Sequence, residues 1–279
     1  MASPATRSPV VALALACHPV PTVAVTVLAT VLVVSAGNDV TTVAVAAAAV
    51  LTGQLSIGWS NDMIDVRRDA ASGRQDKPLA AGTVSGRAVA SATAVALVAT
   101  LALSMALGWR AGLAQLCVVA GGWVYNYPLK STPLSPLPFF VAFGALPAVA
   151  TLALPDPASP PAWVLVAAGL IGVSAHFGNV LPDFDEDAAA GVRGLPHRLG
   201  SFGSAVTATL CAVAASGITV AGARPPGVWG AVALVAAVGL AAAGLVVVRR
   251  RPSSEAAFYT SMAVAAIGVA LIAATGVLT

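Results

Sequence analysis

Asn61-Asp-Met-Ile-Asp65-Val-Arg-Arg-Asp69-Ala-Ala-Ser-Gly73 and Asn179-Val-Leu-Pro-Asp183-Phe-Asp-Glu-Asp187-Ala-Ala-Ala-Gly191 are two versions of one pattern. Both read Asn-x3-Asp-x3-Asp-x3-Gly, and the match runs on through Pro78 and Gly82 in the first and Pro196 and Gly200 in the second. All six positions agree at a constant offset of 118 residues. Residues four apart share one face of an α-helix. Each stretch is therefore predicted to line an amide and two carboxylates along one helical ridge. Like charges at that spacing repel, and carboxylates near a bilayer are costly unless neutralised. A divalent cation answers both objections. Oxygen-only donors select a hard ion, and Mg2+ commonly bridges carboxylates to the phosphates of a substrate. One acidic cluster alone reads more simply as a helix cap or an Arg partner. Two clusters matched at a fixed offset favour a duplicated site. Asp62, Asp185 and Glu186 have no acidic counterpart in the other copy. They fit ligands, supporting groups or solvated charges alike.

The sequence around these stretches is apolar. Of 279 residues, 58% are hydrophobic and 9% charged, with a mean hydropathy of +0.90. A soluble domain carries about 25% charged residues. This composition excludes an ordinary soluble domain, a disordered chain and a nucleic-acid binder; a net charge of +3 is too small for polyanion binding. Nine uncharged windows, 8–38, 40–61, 88–109, 111–129, 131–155, 157–182, 199–223, 225–248 and 256–279, run from 19 to 31 residues. About 20 apolar residues cross the hydrocarbon core as a helix. The expected fold is all-α, a polytopic membrane protein of nine transmembrane helices. Polar and apolar residues do not alternate in the windows, which excludes a barrel. Cys17, Cys117 and Cys211 lie far apart in apolar sequence and read as core residues, not as metal ligands or a disulfide framework. Arg7 before an apolar run, with Val34-Ser35-Ala36 after it, resembles a signal peptide. The run is too long for one and contains Pro19 and Pro21, so an uncleaved first span is expected.

Alternating loops put 12 of the 14 basic residues on the N-terminal side and only Arg110 and Arg224 on the other. By the positive-inside rule the N-terminus is cytoplasmic and, after nine crossings, the C-terminus lies outside. A cell (plasma) membrane location is expected. Eight of the 11 acidic residues, Asp76 among them, fall in the two clusters. Both clusters stand at the cytoplasmic ends of even-numbered predicted helices, the second and the sixth, so the repeat is parallel. It is read as pseudo-duplicated four-helix units at about 8–130 and 131–248, with 256–279 as a ninth helix, in one domain over 1–279.

Basic residues crowd the acidic stretches. Arg67, Arg68, Arg74 and Lys77 follow the first, Arg193, His197 and Arg198 the second, and Lys130 ends Tyr125-Asn-Tyr127-Pro-Leu-Lys130 on the same side. They suit a phosphate, and the positive-inside rule accounts for them equally well. Gly73 and Gly191 are predicted to end the motif helices, with Pro78 and Pro196 restarting the chain. Gln54, seven residues before Asn61, is a candidate for a cavity wall. His18 and His176 stand near the same membrane face, as candidate bases or as packed interhelical groups. Trp59, Trp123, Tyr125, Tyr127, Phe139, Phe140 and Phe177 lie near the motif ends, as faces for a cationic group or as an interfacial belt.

Asn61-Asp62-Met-Ile-Asp65-Val-Arg-Arg-Asp69 resembles the NDxxDxxxD motif of the UbiA superfamily of intramembrane prenyltransferases. Asp183-Phe-Asp-Glu-Asp187 resembles its second motif, DxxxD, and Tyr127-Pro-Leu-Lys130 its tyrosine–lysine segment. The resemblance spans nearly the whole chain. It implies a helical bundle around a central cavity open toward lipid. It also implies Mg2+-dependent transfer of a prenyl group from a prenyl diphosphate to an aromatic or other lipid-soluble acceptor, among membrane lipids. By position it implies Asp65, Asp69, Asp183 and Asp187 as catalytic groups, and these four with Asp62 as Mg2+ ligands. Asn61, Asp62, Arg68, Lys77, Tyr127, Lys130, Asn179 and Arg193 would contact the substrate. The chain departs from many relatives in reading Gly194-Leu195-Pro196-His197 where they have Thr-Leu-Pro, which bears on loop closure and acceptor choice.

Two other functions compete. A UbiA-type membrane terpene cyclase would ionise the same substrate without an acceptor and fits the same residues. An ion-coupled transporter is disfavoured, because its carboxylates belong near mid-membrane and these sit at helix ends.

Overall fold

A computed structural model describes residues 8–71, 73–74, 77–225 and 228–279. Arg7 and Asp76 lie outside them. The described residues form eleven α-helices and one short 3-10 turn, with no strand. In lipid every backbone polar group needs an internal partner, which a continuous helix supplies.

The first window is not one helix. It holds α1 (Pro9–Leu15) and α2 (Pro19–Ser35). Pro19 lacks an N–H and keeps the residue before it out of the right-handed helical region. His18 takes φ 55, and the chain turns there. This elbow packs on α3 (Val40–Ala71). Trp59 Nε1 donates to the Leu13 carbonyl at 2.9 Å, and a Cβ added at Gly58 would collide with the Cys17 backbone. The elbow is thereby held against the motif end of α3.

Asp39 caps α3 by accepting the Thr41 and Thr42 amides at 2.8 and 3.2 Å and the Thr42 hydroxyl at 2.6 Å. The Thr42 bonds hold its carboxyl below the usual range. With 32 residues, α3 is about 48 Å long at a rise of ~1.5 Å per residue. A hydrocarbon core of ~30 Å leaves length to spare. One uninterrupted helix can span it and present the first motif at its end. The chain leaves through Gly73 at φ 71, with the Arg74 amide bonded to the Asp69 carbonyl at 3.0 Å.

Next come α4 (Gly86–Ala106), α5 (Trp109–Asn126), the 3-10 turn Leu129–Ser131 and α6 (Leu137–Leu152). The second motif is then built differently from the first. α7 (Ala162–Val180) stops short of Pro182, and α8 (Phe184–Ala189) starts afresh with Asp183 at its N-cap. A proline at 182 offers no N–H and clashes with the carbonyl four residues back. The expected ridge Asn179–Asp183–Asp187 is therefore broken across a joint. Its closure still repeats the first: Gly191 has φ 82, and the Val192 amide bonds the Asp187 carbonyl at 2.9 Å. α9 (Leu195–Ala223), kinked at Gly200 (φ 76), α10 (Trp229–Arg250) and α11 (Ala256–Thr275) complete the chain.

Each of the nine windows holds one long helix among the described residues. These helices form a ring: α2 packs on α3, α3 on α4, α4 on α5, and so on through α6, α7, α9, α10 and α11, which returns to α2. Six of them, α3, α4, α7, α9, α10 and α11, are long and apolar enough to cross a membrane. α2 and α6 are apolar but shorter, at 17 and 16 residues. Val20, Val23, Val27, Val31 and Val34 of α2 are exposed while Thr22, Val25 and Ala29 are buried. On α10, Val232, Val235 and Val246 face out while Ala237, Ala241 and Gly244 face in. Large apolar residues outside and small ones inside suit helices packed in lipid. Helix starts recur as well: Pro19 and Leu137, Trp109 and Trp229, and Leu137 and Ala256 open α2/α6, α5/α10 and α6/α11, at offsets of 118, 120 and 119.

Candidate active site

The ring encloses a cavity of about 250 Å³, walled by α2, α3, α5, α6, α7 and α11. Its polar end joins Asn61, Asp65, Arg68, Asp69, Arg74, Lys77, Lys130, Asn179, Asp183 and Asp187. Val25, Leu28, Phe139, Phe143, Leu146 and Met262 line the rest, together with Gln54.

The two motifs meet through their cations. Arg68 Nη2 lies 2.5 Å from Asp65 Oδ2 and 4.0 Å from Asp187 Oδ1. Arg74 continues the contact between copies, with Nη2 3.5 Å from Asp183 Oδ1 and Nη1 2.7 Å from Glu186 Oε2. Lys130 Nζ comes from the loop after α5 to within 2.6 Å of Asp65 Oδ2. Asn61 donates from Nδ2 to Asn126 Oδ1 at 3.1 Å. Asn126 in turn donates to the Ile57 carbonyl and Ser60 Oγ, both at 2.9 Å. The end of α5 thereby fixes the orientation of the first motif's amide.

The lining carries four carboxylates, on Asp65, Asp69, Asp183 and Asp187, and four cations, on Arg68, Arg74, Lys77 and Lys130. Such a balance offers a multiply charged anion no net attraction. The carboxylates offer oxygen donors alone, which suit a hard divalent cation. Among the described residues no three His, Cys, Asp or Glu side chains form a ready-made metal nest. The carboxylates are instead divided between two walls. That division fits ions held between a carboxylate and the oxygens of a phosphate ligand.

Three of the residues assigned to the metal or the substrate do not line the cavity: Asp62, Tyr127 and Arg193. Asp62 is buried behind it, with Oδ1 3.2 Å from His18 Nε2 and 3.3 Å from Lys77 Nζ. Lys77 Nζ also lies 3.1 Å from His18 Nε2, so three elements share one small polar knot. Tyr127 is 73% exposed. α5 ends at Asn126, and Tyr127 is already extended chain beyond it. The aromatic ring in the wall is Tyr125, edge-on to Phe139 with centroids 4.8 Å apart. The helical spacing Val118, Gly121, Gly122, Tyr125 marks that face in the sequence. Arg193 is exposed, past the second motif. Of the two histidines, His18 lines the cavity. His176 is fully packed beside Phe139 and Tyr125, at 4.7 and 5.3 Å between centroids.

The UbiA prenyltransferase family model matches residues 9–267. The chain belongs to that family. Solved UbiA-fold structures agree with the ring described above. An apo UbiA homologue from Aeropyrum pernix K1 is 22% identical with a TM-score of 0.74, covering 90% of this chain and 96% of its own. A UbiA homologue from Archaeoglobus fulgidus bound to GPP and Mg2+ is 16% identical with a TM-score of 0.70, covering 94% and 99%. A digeranylgeranylglyceryl phosphate synthase is 16% identical with a TM-score of 0.66, covering 98% and 99%. No curated protein matches the chain in sequence. Membership makes this chain a multi-pass membrane protein of a prenyltransferase family.

Proposed function

We propose that this UbiA-family chain transfers a prenyl group from a prenyl diphosphate to an aromatic or other lipid-soluble acceptor, with Mg2+ as cofactor. One observation carries the reading: a polar end built from both acidic motifs opens directly into an apolar, aromatic-walled cavity. A prenyl diphosphate has the same division between its two ends. The Archaeoglobus fulgidus homologue bound to GPP and Mg2+ supports the choice of ligand and ion.

Asp65, Asp69, Asp183 and Asp187 would hold Mg2+, with Asn61 and Asn179 as further oxygen donors. When bound, Mg2+ supplies the positive charge that neutralises diphosphate oxygens as the allylic C–O bond breaks. Arg68, Arg74, Lys77 and Lys130 pair directly with the departing diphosphate. Tyr125, Phe139 and Phe143 border the space for the allylic cation, and aromatic rings stabilise such a charge. The apolar wall keeps water from it. We read the scaffold as duplicated four-helix units with a ninth helix. We place the N-terminus and both motifs on the cytoplasmic side of the plasma membrane, a reading supported by the distribution of basic residues.

The test is purified protein in liposomes with Mg2+, a labelled prenyl diphosphate, and a panel of phenolic, quinone-precursor and lipid acceptors. A prenylated acceptor is the expected product. Efficient conversion to a cyclic hydrocarbon without any acceptor would overturn transfer in favour of cyclisation.

A further inference from the structure

Ser135 joins two loops at the polar end of the cavity. It is fully buried, five residues beyond Lys130 and just before α6. Its Oγ accepts the Leu195 amide at 3.1 Å and lies 3.1 Å from His176 Nε2. Leu195 opens α9 directly after the second motif, and His176 belongs to α7. One hydroxyl on the Lys130 loop thus touches the first residue of α9, just past the second motif, and His176 of α7.

Gly194 is pressed onto the same point. A Cβ there would stand 2.6 Å from the Lys130 carbonyl, closer than real Cβ atoms approach, and a tight 3.0 Å from Ser135 Oγ. On the far side Ser204 Oγ donates to the Pro196 carbonyl at 3.0 Å, tying the first turn of α9 to the body of the helix across the kink at Gly200. A serine hydroxyl has one hydrogen and two lone pairs. The Leu195 amide takes one lone pair, and His176 takes the hydrogen or the other lone pair. From this junction the Lys130 side chain reaches Asp65, with Nζ 2.6 Å from Oδ2.

We propose that Ser135, backed by His176, is a positioning residue for Lys130. It locks the Lys130 loop to the second-motif loop, so that the ammonium group meets the diphosphate end of the substrate. The inference rests on the prenyl diphosphate reading above.

Ser135→Ala should raise the KM for prenyl diphosphate about tenfold, the scale of one lost hydrogen bond. The acceptor KM should stay within about twofold, as expected for a parameter with no share in that bond. In a Lys130→Met background the same substitution should have at most about a twofold effect, because coupled residues are not additive. Gly194→Ala keeps the hydroxyl but forces the loops apart, and should give the same rise in KM. Calorimetric binding of inorganic diphosphate with Mg2+ to the purified protein separates the two claims. No binding by the wild type overturns the underlying reading. Wild-type binding with an unchanged KM in both variants, or an equal effect with and without Lys130, overturns the role of Ser135.

Discussion

Arg68 of the first motif lies 4.0 Å from Asp187 of the second, while its Nη2 stays 2.5 Å from Asp65. Residues 119 positions apart (187 − 68) thus share one cation across the cavity mouth. The two acidic motifs form one site. Arg68→Gln should leave Asp65 with Lys130 alone and raise the KM for prenyl diphosphate roughly 10- to 100-fold, the scale of one charge-assisted hydrogen bond. Arg68→Lys should recover only part of this, since an ammonium lacks the planar fork. Steady-state kinetics on reconstituted protein read both effects.

Asp62 and Asp65 should behave differently. Asp62 is buried behind the cavity and bound to His18 and Lys77, whereas Asp65 lines it. Asp62→Asn should chiefly lower the unfolding temperature in detergent, because a buried ion pair that loses one partner costs about 3–5 kcal/mol. Asp65→Asn should chiefly lower turnover. Equal kinetic losses with no change in stability would place Asp62 in the site after all.

Pro182 breaks the second motif. Pro182→Ala should let α7 run on toward α8 and carry Asp183 and Asp187 away from Arg74 and Arg68. A misplacement of about 1 Å can cost ~10²-fold in rate. A fall in kcat/KM of at least about tenfold is expected. Wild-type kinetics in this variant would show that the joint is dispensable.

Gly58 sets how closely the elbow approaches α3. Gly58→Val should push Cys17 and His18 away and loosen the knot around Asp62. Overpacking of this kind typically costs about 1–3 kcal/mol, readable as a lower melting temperature in detergent.

Much of this was legible in the chain, for identifiable reasons. Long apolar windows separated by scarce charges located every ring helix, because hydrocarbon forbids a charge in the middle of a span. The offset of 118 pairs the motifs from sequence alone. What the sequence hid was local breakage and long-range pairing. A period-four match between Asn179 and Asp187 passes over Pro182, yet the backbone does not. The window 8–38 is defined by the absence of charge, which a turn at His18 leaves unchanged. The knot of His18, Asp62 and Lys77 joins residues 44 and 15 positions apart, and no local pattern announces it. Tyr127 matched a motif by spacing, while Tyr125 faces the cavity because α5 keeps its helical phase up to Asn126.

The claim that both motifs serve one Mg2+-dependent diphosphate site is tested most directly by diphosphate release from a labelled prenyl diphosphate. Wild type, Asp65→Ala and Asp183→Ala would be compared in liposomes, with Mg2+ and with chelator. The expected result is release by the wild type that chelation abolishes, and a loss of at least about 10²-fold in each single variant, the scale of removing one electrostatic stabiliser. Wild-type release by either variant, or release indifferent to chelation, would contradict it.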